Sequence, residues 1–249
     1  MICLKTKNNI LFYRLFFAVC LLSFLNLHAE EKVVEKKDSL VVVCFGNSTT
    51  AARKNIEKVY PLRLQEALDK KQLAYKVINA GIPGSHAASI KDNATHKVAH
   101  GMDRFETAIM DNKPNWVIIS FGINDSWQDK GIYSPSRISL ERFRESLLHF
   151  IIKLKSTKSK IILMGPNPLG KKYEAFRKER LKLYEVQCKK IARKNNIYWI
   201  DTRKIFFKSS KNHPNGIDEL LLDGMHPNDK GHELISTAIF KIITKKQLS

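Results

Sequence analysis

The chain has 249 residues, of which 43% are hydrophobic, and this is enough apolar material for one sizeable core with no sign of a second. It carries 43 Lys and Arg residues against 24 Asp and Glu residues, a formal net charge of +19, which would attract nucleic acid, anionic lipid or an acidic polysaccharide without choosing among them. Because the sequence has no helix-turn-helix pattern, zinc-finger spacing or RNA-recognition signature, we interpret the charge as a lysine-rich solvated surface and expect no nucleic-acid partner.

The N-terminus has the layout of a signal peptide. Lys5, Lys7 and Arg14 precede an apolar run at residues 15–25, and charged residues begin soon after it. The apolar run is shorter than the roughly 20 residues that a membrane span needs, so we expect cleavage and no stable membrane anchor. The sequence therefore predicts a signal peptide at residues 1–29 and a periplasmic or secreted protein.

After a charged, aperiodic leader at residues 30–39, strand and helix patterns alternate along the chain. A continuous apolar run, typical of a strand buried on both faces, occupies residues 40–45, and further strand patterns occupy residues 74–79, 116–121, 160–164 and 197–200. Helical patterns occupy residues 60–71, 140–155, 173–194 and 231–243, and residues 87–111 look helical with some interruption. The alternation predicts an α/β fold in which helices cover both faces of a parallel sheet, in one domain at residues 40–249.

The four cysteines do not suggest a disulfide framework or a metal site. Cys3 and Cys20 would leave with the signal peptide, while Cys44 lies in a predicted strand and Cys188 in a predicted helix. We expect the last two to be buried free thiols. The sequence also lacks a Gly-x-Gly-x-x-Gly or phosphate-loop pattern, so we predict no cofactor and no bound metal.

Ser48 is a candidate nucleophile because it directly follows the first apolar strand. Gly46, two residues earlier, allows a tight turn, and a helical turn after the serine would aim its N–H dipoles at it. The alternative is an ordinary helix N-cap, which serine fills often. The segment is not the Gly-x-Ser-x-Gly elbow of α/β-hydrolases, because Thr50 occupies the position of the second glycine.

Asp223 and His226 are three positions apart, a spacing that places both side chains on one side of a turn. The carboxylate would accept a hydrogen bond from Nδ1–H and leave Nε2 free to take a proton from a serine hydroxyl. Pro227 disfavours helical backbone at His226, so we expect the pair on a defined turn. Taken alone, the same spacing also fits half of a metal site or a surface ion pair.

Three groups are candidate donors to an oxyanion. Gly84 can bring its backbone N–H close to a ligand because it has no Cβ, and Asn124 follows a buried strand and carries an amide NH₂. The backbone N–H of Ser48 would complete the set. The alternatives are an ordinary glycine loop and helix capping by Asn124 and Asp125. The strand positions place these donors and Ser48 at the carboxyl ends of parallel strands, where such sheets carry their sites.

The chain resembles the SGNH hydrolases, the GDSL-like esterase family, from about residue 40 to the C-terminus. Four segments carry the resemblance: Gly46-Asn47-Ser48-Thr49, Asn79-Ala80-Gly81-Ile82-Pro83-Gly84, Gly122-Ile123-Asn124-Asp125 and Asp223-Gly224-Met225-His226. It implies a flavodoxin-like three-layer α/β/α sandwich with a five-stranded parallel sheet in the order 2-1-3-4-5.

By position, the resemblance makes Ser48 the nucleophile, His226 the base and Asp223 its partner, with Ser48, Gly84 and Asn124 forming the oxyanion hole. The chain departs from the family at Asn47, where aspartate is usual. This change removes a negative charge beside the serine and puts the local hydrogen bonds in question.

We therefore expect a serine esterase for short-chain, chiefly O-acetyl, esters on a small saccharide or a polysaccharide. The segments at residues 126–137 and 166–172 are short and polar, and Trp127, Tyr133 and Tyr173 either stack on a sugar ring or pack as ordinary core and rim residues. The alternatives are a lysophospholipase or thioesterase of the same family, a non-catalytic carbohydrate-binding relic, and a flavodoxin-like cofactor binder.

Overall fold

The structure is a computed structural model that describes residues 39–245. The predicted signal peptide at residues 1–29 and residues 30–38 of the predicted leader lie outside this part of the chain. Within residues 39–245, none of the helices is long and apolar enough to cross a lipid bilayer.

Five parallel strands form a sheet in the order β2-β1-β3-β4-β5. The strands are β1 (Leu40–Gly46), β2 (Tyr75–Gly81), β3 (Trp116–Ser120), β4 (Lys160–Met164) and β5 (Tyr198–Ile200). In β1, Val42 and Cys44 face one side and Val43 and Phe45 the other, and all four are fully buried. Because both faces of the sheet are covered, its three central strands, β1, β3 and β4, are mostly buried apolar runs, whereas the edge strands β2 and β5 are partly exposed. The predicted α/β sandwich and strand order are confirmed.

Six α-helices of the described residues cover the sheet. They are α1 (Tyr60–Lys70), α2 (Gly101–Ala108), α3 (Leu140–Ser156), α4 (Ala175–Asn195), α5 (Thr202–Ser209) and α6 (Asp229–Thr244). Helices α2, α3 and α4 pack on the face of Val43 and Phe45, and α1, α5 and α6 pack on the opposite face. Short 3-10 helices span Met110–Asn112 and Gly216–Leu220. Cys44 and Cys188 are free and buried, as expected, and burial raises the pKa of both thiols.

The predicted helix at residues 87–111 is wrong over its first half. Residues 82–100 are irregular, and α2 begins only at Gly101. Side chains take the backbone groups of the irregular segment: His86 N donates to His100 Nδ1 at 3.2 Å, and Ser89 N donates to Asp92 Oδ2 at 2.9 Å. The rings of His86 and His100 are stacked with centroids 3.6 Å apart. Such side-chain bonds compete with a helical ladder.

Helix α5 is present although the sequence pattern does not predict it. It has 8 residues, too few for a helical period to stand out. Asp201 caps it, since one carboxylate oxygen accepts from Lys204 N at 2.9 Å.

Candidate active site

Ser48 lies on a tight turn that starts where β1 ends. Asn47 is buried, and its Oδ1 accepts hydrogen bonds from Thr49 N and Thr49 Oγ1, both at 2.9 Å. The Asn47 carbonyl accepts from Thr50 N and Ala51 N, both at 3.0 Å. A neutral amide oxygen accepts these bonds as a carboxylate oxygen would. The asparagine therefore leaves the hydrogen bonds of the turn in place and removes only the negative charge beside Ser48.

Asp223 and His226 form a hydrogen-bonded pair on the turn before α6. His226 Nδ1 lies 3.0 Å from Asp223 Oδ1 and 2.8 Å from Oδ2. Because a carboxylate only accepts, Nδ1 carries the proton and Nε2 is left as an acceptor. The backbone N–H groups of Met225 and His226 donate to Oδ1 at 3.1 and 2.9 Å and hold the carboxylate against the turn.

Ser48 and His226 are in contact although 178 positions separate them, with His226 Nε2 lying 3.0 Å from Ser48 Oγ. The hydroxyl donates to Nε2, so hydroxyl, imidazole and carboxylate form one row of hydrogen bonds. This geometry lets the imidazole take the hydroxyl proton. Among residues 39–245, no group of three or more His, Cys, Asp or Glu side chains is placed to hold a metal ion. In this part of the chain, Asp223 and His226 therefore have no third side chain with which to form a metal site.

The charge states of the pair follow from burial and from the neighbouring charges. Burial lowers the pKa of His226 below its ordinary 6.5, and the hydrogen bond that its Nδ1–H donates to Asp223 offsets this only in part. The positive charges of Arg53 and Lys172 lower the same pKa further. Burial raises the pKa of Asp223, but the hydrogen bonds from His226 outweigh it and bring the pKa to about 2. At neutral pH the site therefore holds a neutral imidazole next to a carboxylate, as a general base requires.

The candidate oxyanion donors lie at the same edge of the sheet as the serine. Gly46 at the end of β1 pairs with Gly81 at the end of β2 on one side and with the end of β3 on the other. Ser48, Gly84 and Asn124 each follow their strand within four positions. Because the carboxyl ends of parallel strands meet at one edge, all three residues follow strands that end at the same edge of the sheet.

Asn124 is bonded to the residue that follows Gly84. Asn124 Nδ2 donates to the carbonyl of Ser85 at 2.8 Å, and its second N–H is left for a ligand oxygen. Gly84 has a φ of +79°, which other residues rarely adopt, and a Cβ there would lie 2.9 Å from His96 Cγ. Both the backbone conformation and the available space therefore require glycine at this position.

Asp125 is part of this region, although the sequence suggested only a capping role for it. Its carboxylate is fully buried and accepts from Ala87 N at 2.7 Å and from Gly122 N at 2.8 Å. Burial raises the pKa of Asp125 to about 6, even though these hydrogen bonds oppose the rise. The carboxylate fixes the segment after β2 against the turn after β3, which are the two segments that carry Gly84 and Asn124.

Arg104 of α2 is a second residue that the sequence did not reveal. Its Nη1 donates to Ala80 O at 2.7 Å and its Nη2 to Gly46 O at 2.8 Å, so it joins the ends of β1 and β2 below the site. The guanidinium carbon lies 4.4 Å from the centroid of the Phe45 ring. Burial lowers the pKa of Arg104 to about 10. No sequence pattern marks it, because an arginine on a short amphipathic helix normally faces water.

Apolar side chains form a wall next to the turn of His226. The members of this wall are Ile123, Leu169, Leu181, Trp127, Tyr173 and Met225. The rings of Trp127 and Tyr173 meet edge to face with centroids 5.9 Å apart, and the Arg177 guanidinium lies 4.1 Å from the Trp127 centroid. Tyr133 is 98% exposed and stands outside the wall. Of the three aromatic residues considered for sugar stacking, Trp127 and Tyr173 therefore lie beside Met225, and Tyr133 does not.

A five-stranded parallel sheet that carries serine, imidazole and carboxylate at one edge defines a class of protein, the carboxylic ester hydrolases of the flavodoxin-like sandwich. The family model described as GDSL-like Lipase/Acylhydrolase family matches residues 44–234, and the chain belongs to this family. The membership in the SGNH hydrolases that the four motifs predicted is confirmed, and so is the prediction of an enzyme acting on carboxylic esters.

Individual relatives agree with this assignment. The chain is 26% identical over 175 residues to an acetylxylan esterase of Geobacillus stearothermophilus, which covers 69% of this chain and 74% of the relative. It is 31% identical over 134 residues to the uncharacterized lipoprotein YqeF of Bacillus subtilis, covering 51% of this chain and 49% of the lipoprotein.

Solved structures share the fold. The crystal structure of Axe2, an acetylxylan esterase from Geobacillus stearothermophilus, matches with a TM-score of 0.66 at 24% identity, covering 84% of this chain and 96% of Axe2. The lipase/acylhydrolase from Enterococcus faecalis matches with a TM-score of 0.64 at 27% identity, covering 83% of this chain and 96% of its own. At 24% identity, the similarity to Axe2 shows that the two proteins share a fold.

Proposed function

We propose that the protein is a serine esterase that hydrolyses short-chain, chiefly O-acetyl, esters on saccharides outside the cytoplasm. The observation that carries the proposal is the row of hydrogen bonds from Ser48 Oγ through His226 to Asp223, with distances of 3.0 Å and 2.8 Å. The proposal assigns residues 1–29 to a signal peptide and residues 40–249 to the esterase domain. The description of one relative as a lipoprotein agrees with a location outside the cytoplasm.

In the proposed reaction, Ser48 Oγ attacks the ester carbonyl while His226 Nε2 takes the hydroxyl proton. The tetrahedral oxyanion accepts hydrogen bonds from Ser48 N–H, Gly84 N–H and the second N–H of Asn124. As the carbon–oxygen bond to the alcohol breaks, His226 returns the proton to the leaving alkoxide, and an acyl-serine remains. Water then attacks the acyl carbon with His226 again as base, which releases the acid and restores the serine.

The expectation of a saccharide ester is supported by two observations. A curated relative and several solved structures with the same fold are described as acetylxylan esterases. The wall next to the turn of His226 presents the Trp127 and Tyr173 rings, which offer apolar faces of the size of a sugar ring. The acetyl group is favoured because these relatives are described as acetylxylan esterases.

The pH profile should report the titration of His226. The imidazole accepts a proton only when neutral, and its pKa lies below 6.5, so kcat/KM should rise with pH, reach its midpoint below 6.5 and be flat at neutral pH. Initial rates with 4-nitrophenyl acetate from pH about 4 to pH about 9 measure this. Lys172→Gln removes a positive charge that lowers the pKa, so the midpoint should move up. A wild-type midpoint above 6.5 would contradict the assignment of His226 as the base.

The preferred acyl chain separates the proposal from a lysophospholipase or thioesterase. Rates with nitrophenyl esters from acetyl to dodecanoyl should be highest for acetyl and decline with length if the enzyme is an acetylesterase, whereas a lipid-directed enzyme needs an apolar site that buries a long chain. A maximum at long chains would assign the protein to the lipid-directed alternative. Release of acetate from a panel of acetylated polysaccharides then identifies the saccharide, and a panel without any release would reject the saccharide assignment.

A further inference from the structure

A groove of about 490 Å³ lies on the far side of the segment that flanks the turn of His226. We call it the basic groove. The residues of its lining that matter here are Lys171, Lys178, Arg203, Phe207, Lys211 and Ile217. They come from the segment after β4 and from α4, α5 and the segment that follows α5. The proposed reaction does not use any of them.

The basic groove is a close neighbour of the active site. Gly170, in its lining, donates its N–H to the carbonyl of Gly224 at 2.6 Å, and Gly224 directly follows Asp223. Leu169, also in the lining, belongs to the wall that contains Met225. One backbone segment therefore faces the Asp223–His226 turn on one side and the groove on the other. The groove and the proposed active site therefore share this segment as a common border.

The charge of the groove is positive. Its lining contains four cationic side chains and no acidic one. Of the nearby carboxylates, Asp218 accepts from the backbone N–H of Lys171 at 3.0 Å, and Glu185 lies 3.8 Å from Arg203 Nε. Among the described residues, no carboxylate pairs with the ammonium groups of Lys171 and Lys211. These two cations are therefore available to a ligand.

The floor of the groove includes an aromatic ring. Phe207 is 46% exposed, and the Arg203 guanidinium lies 4.8 Å from its centroid. A ring that is open to solvent beside cations suits a sugar, because the C–H face of the sugar packs on the aromatic face while a carboxylate reaches the cations. Arg53 and Lys172 extend the positive potential to His226, as their effect on its pKa shows.

We propose that the basic groove binds the carboxylates of an acidic saccharide, so that the substrate is an acetylated chain bearing uronic acids. This inference rests on the proposed esterase function. A concave groove beside the active site fits an oligosaccharide better than the surface of a lipid bilayer, which would contact projecting side chains. The formal net charge of +19 would add attraction at long range.

The test compares the wild type with Lys171→Gln/Lys211→Gln, using three substrates. These are an acetylated uronate-bearing oligosaccharide, a neutral acetylated xylo-oligosaccharide and 4-nitrophenyl acetate. For the acidic substrate the double variant should raise KM about tenfold and leave kcat unchanged, because two exposed charge contacts are lost. For the other two substrates its kinetics should match the wild type within about twofold. The matched control, Lys153→Gln/Lys241→Gln, removes the same charge from α3 and α6, outside the groove, and should leave all three substrates unaffected.

Salt provides a second measurement. Raising the ionic strength from about 0.05 M to about 0.5 M should raise KM of the wild type for the acidic substrate and have little effect on the groove variant. The inference is overturned if the wild type does not prefer the acidic substrate, or if KM for that substrate rises equally in both double variants. It is also overturned if the groove variant differs from the wild type only in its binding to phosphatidylglycerol vesicles, measured by cosedimentation. Hydrolysis of 4-nitrophenyl acetate is independent of the groove, so its absence in the wild type would instead reject the esterase function itself.

Discussion

Replacing Ser48 by alanine should lower kcat for 4-nitrophenyl acetate by about 10⁵- to 10⁶-fold, the scale on which serine hydrolases lose activity with their nucleophile. The reason is that the hydroxyl forms the covalent bond to the acyl group, and no neighbouring side chain in the described site can replace it. The fold should be unaffected, because the hydrogen bond that the structure gives Ser48 Oγ is to His226, and the turn is held by Asn47 and Thr49.

Rate and labelling together measure this prediction. Ser156→Ala is a matched control, since Ser156 is exposed on α3 and its hydroxyl bonds only to the local Lys153 carbonyl at 2.7 Å. A fluorophosphonate should label the wild type and the control but not Ser48→Ala. Equal hydrolysis by Ser48→Ala and the wild type would refute the nucleophile. A wild type that neither reacts with the label nor hydrolyses any ester would favour the carbohydrate-binding relic.

Asp223→Asn should lower kcat by up to about 10⁴-fold, by analogy with serine proteases. The Oδ1 of the asparagine can still accept from the backbone of Met225 and His226, so the turn should keep its shape. The amide NH₂ would then face His226 Nδ1, where Asp223 Oδ2 now lies at 2.8 Å. A donor at this place favours the tautomer with the proton on Nε2, which cannot take the proton of Ser48.

The measurement is kcat with 4-nitrophenyl acetate, together with the melting temperature. Asp229→Asn serves as the control. This aspartate at the start of α6 accepts from Lys58 N at 3.0 Å and from Arg63 at 2.6 Å, so its loss should affect stability and leave kcat within about threefold. If Asp223→Asn kept more than about a tenth of kcat, the imidazole would be oriented by the backbone and not by the carboxylate.

The centre of the sheet was predictable because β1, β3 and β4 are buried on both faces and therefore appear as apolar runs. Residues 40–45 predicted β1 to within one residue of its observed end at Gly46. The irregular residues 82–100 were not predictable in the same way. Their conformation depends on partners outside the local window, such as the bond from Ala87 N to Asp125, 38 positions away. A local pattern carries no information on such bonds.

The residues of the candidate site also fall into those that the sequence predicted and those that it did not. Ser48, Gly84, Asn124, Asp223 and His226 stand in short motifs whose order along the chain is informative, so the sequence pointed to them. Asp125 and Arg104 work through backbone groups of distant segments, and neither partner is marked in the sequence. The sequence also left open the effect of Asn47. The structure shows that its amide oxygen accepts two hydrogen bonds from Thr49, which a carboxylate oxygen of an aspartate could accept as well.

Asn124 and Asp125 are consecutive, and both bind the backbone of the segment after β2, through Ser85 O and Ala87 N. The proposed oxyanion donors would therefore be preorganised when the protein folds, and the ester would not have to reorient them during turnover. The side chains of Trp127 and Tyr173 take no part in these two hydrogen bonds. Replacing these two side chains should therefore change which alcohols the enzyme accepts and leave the two hydrogen bonds in place.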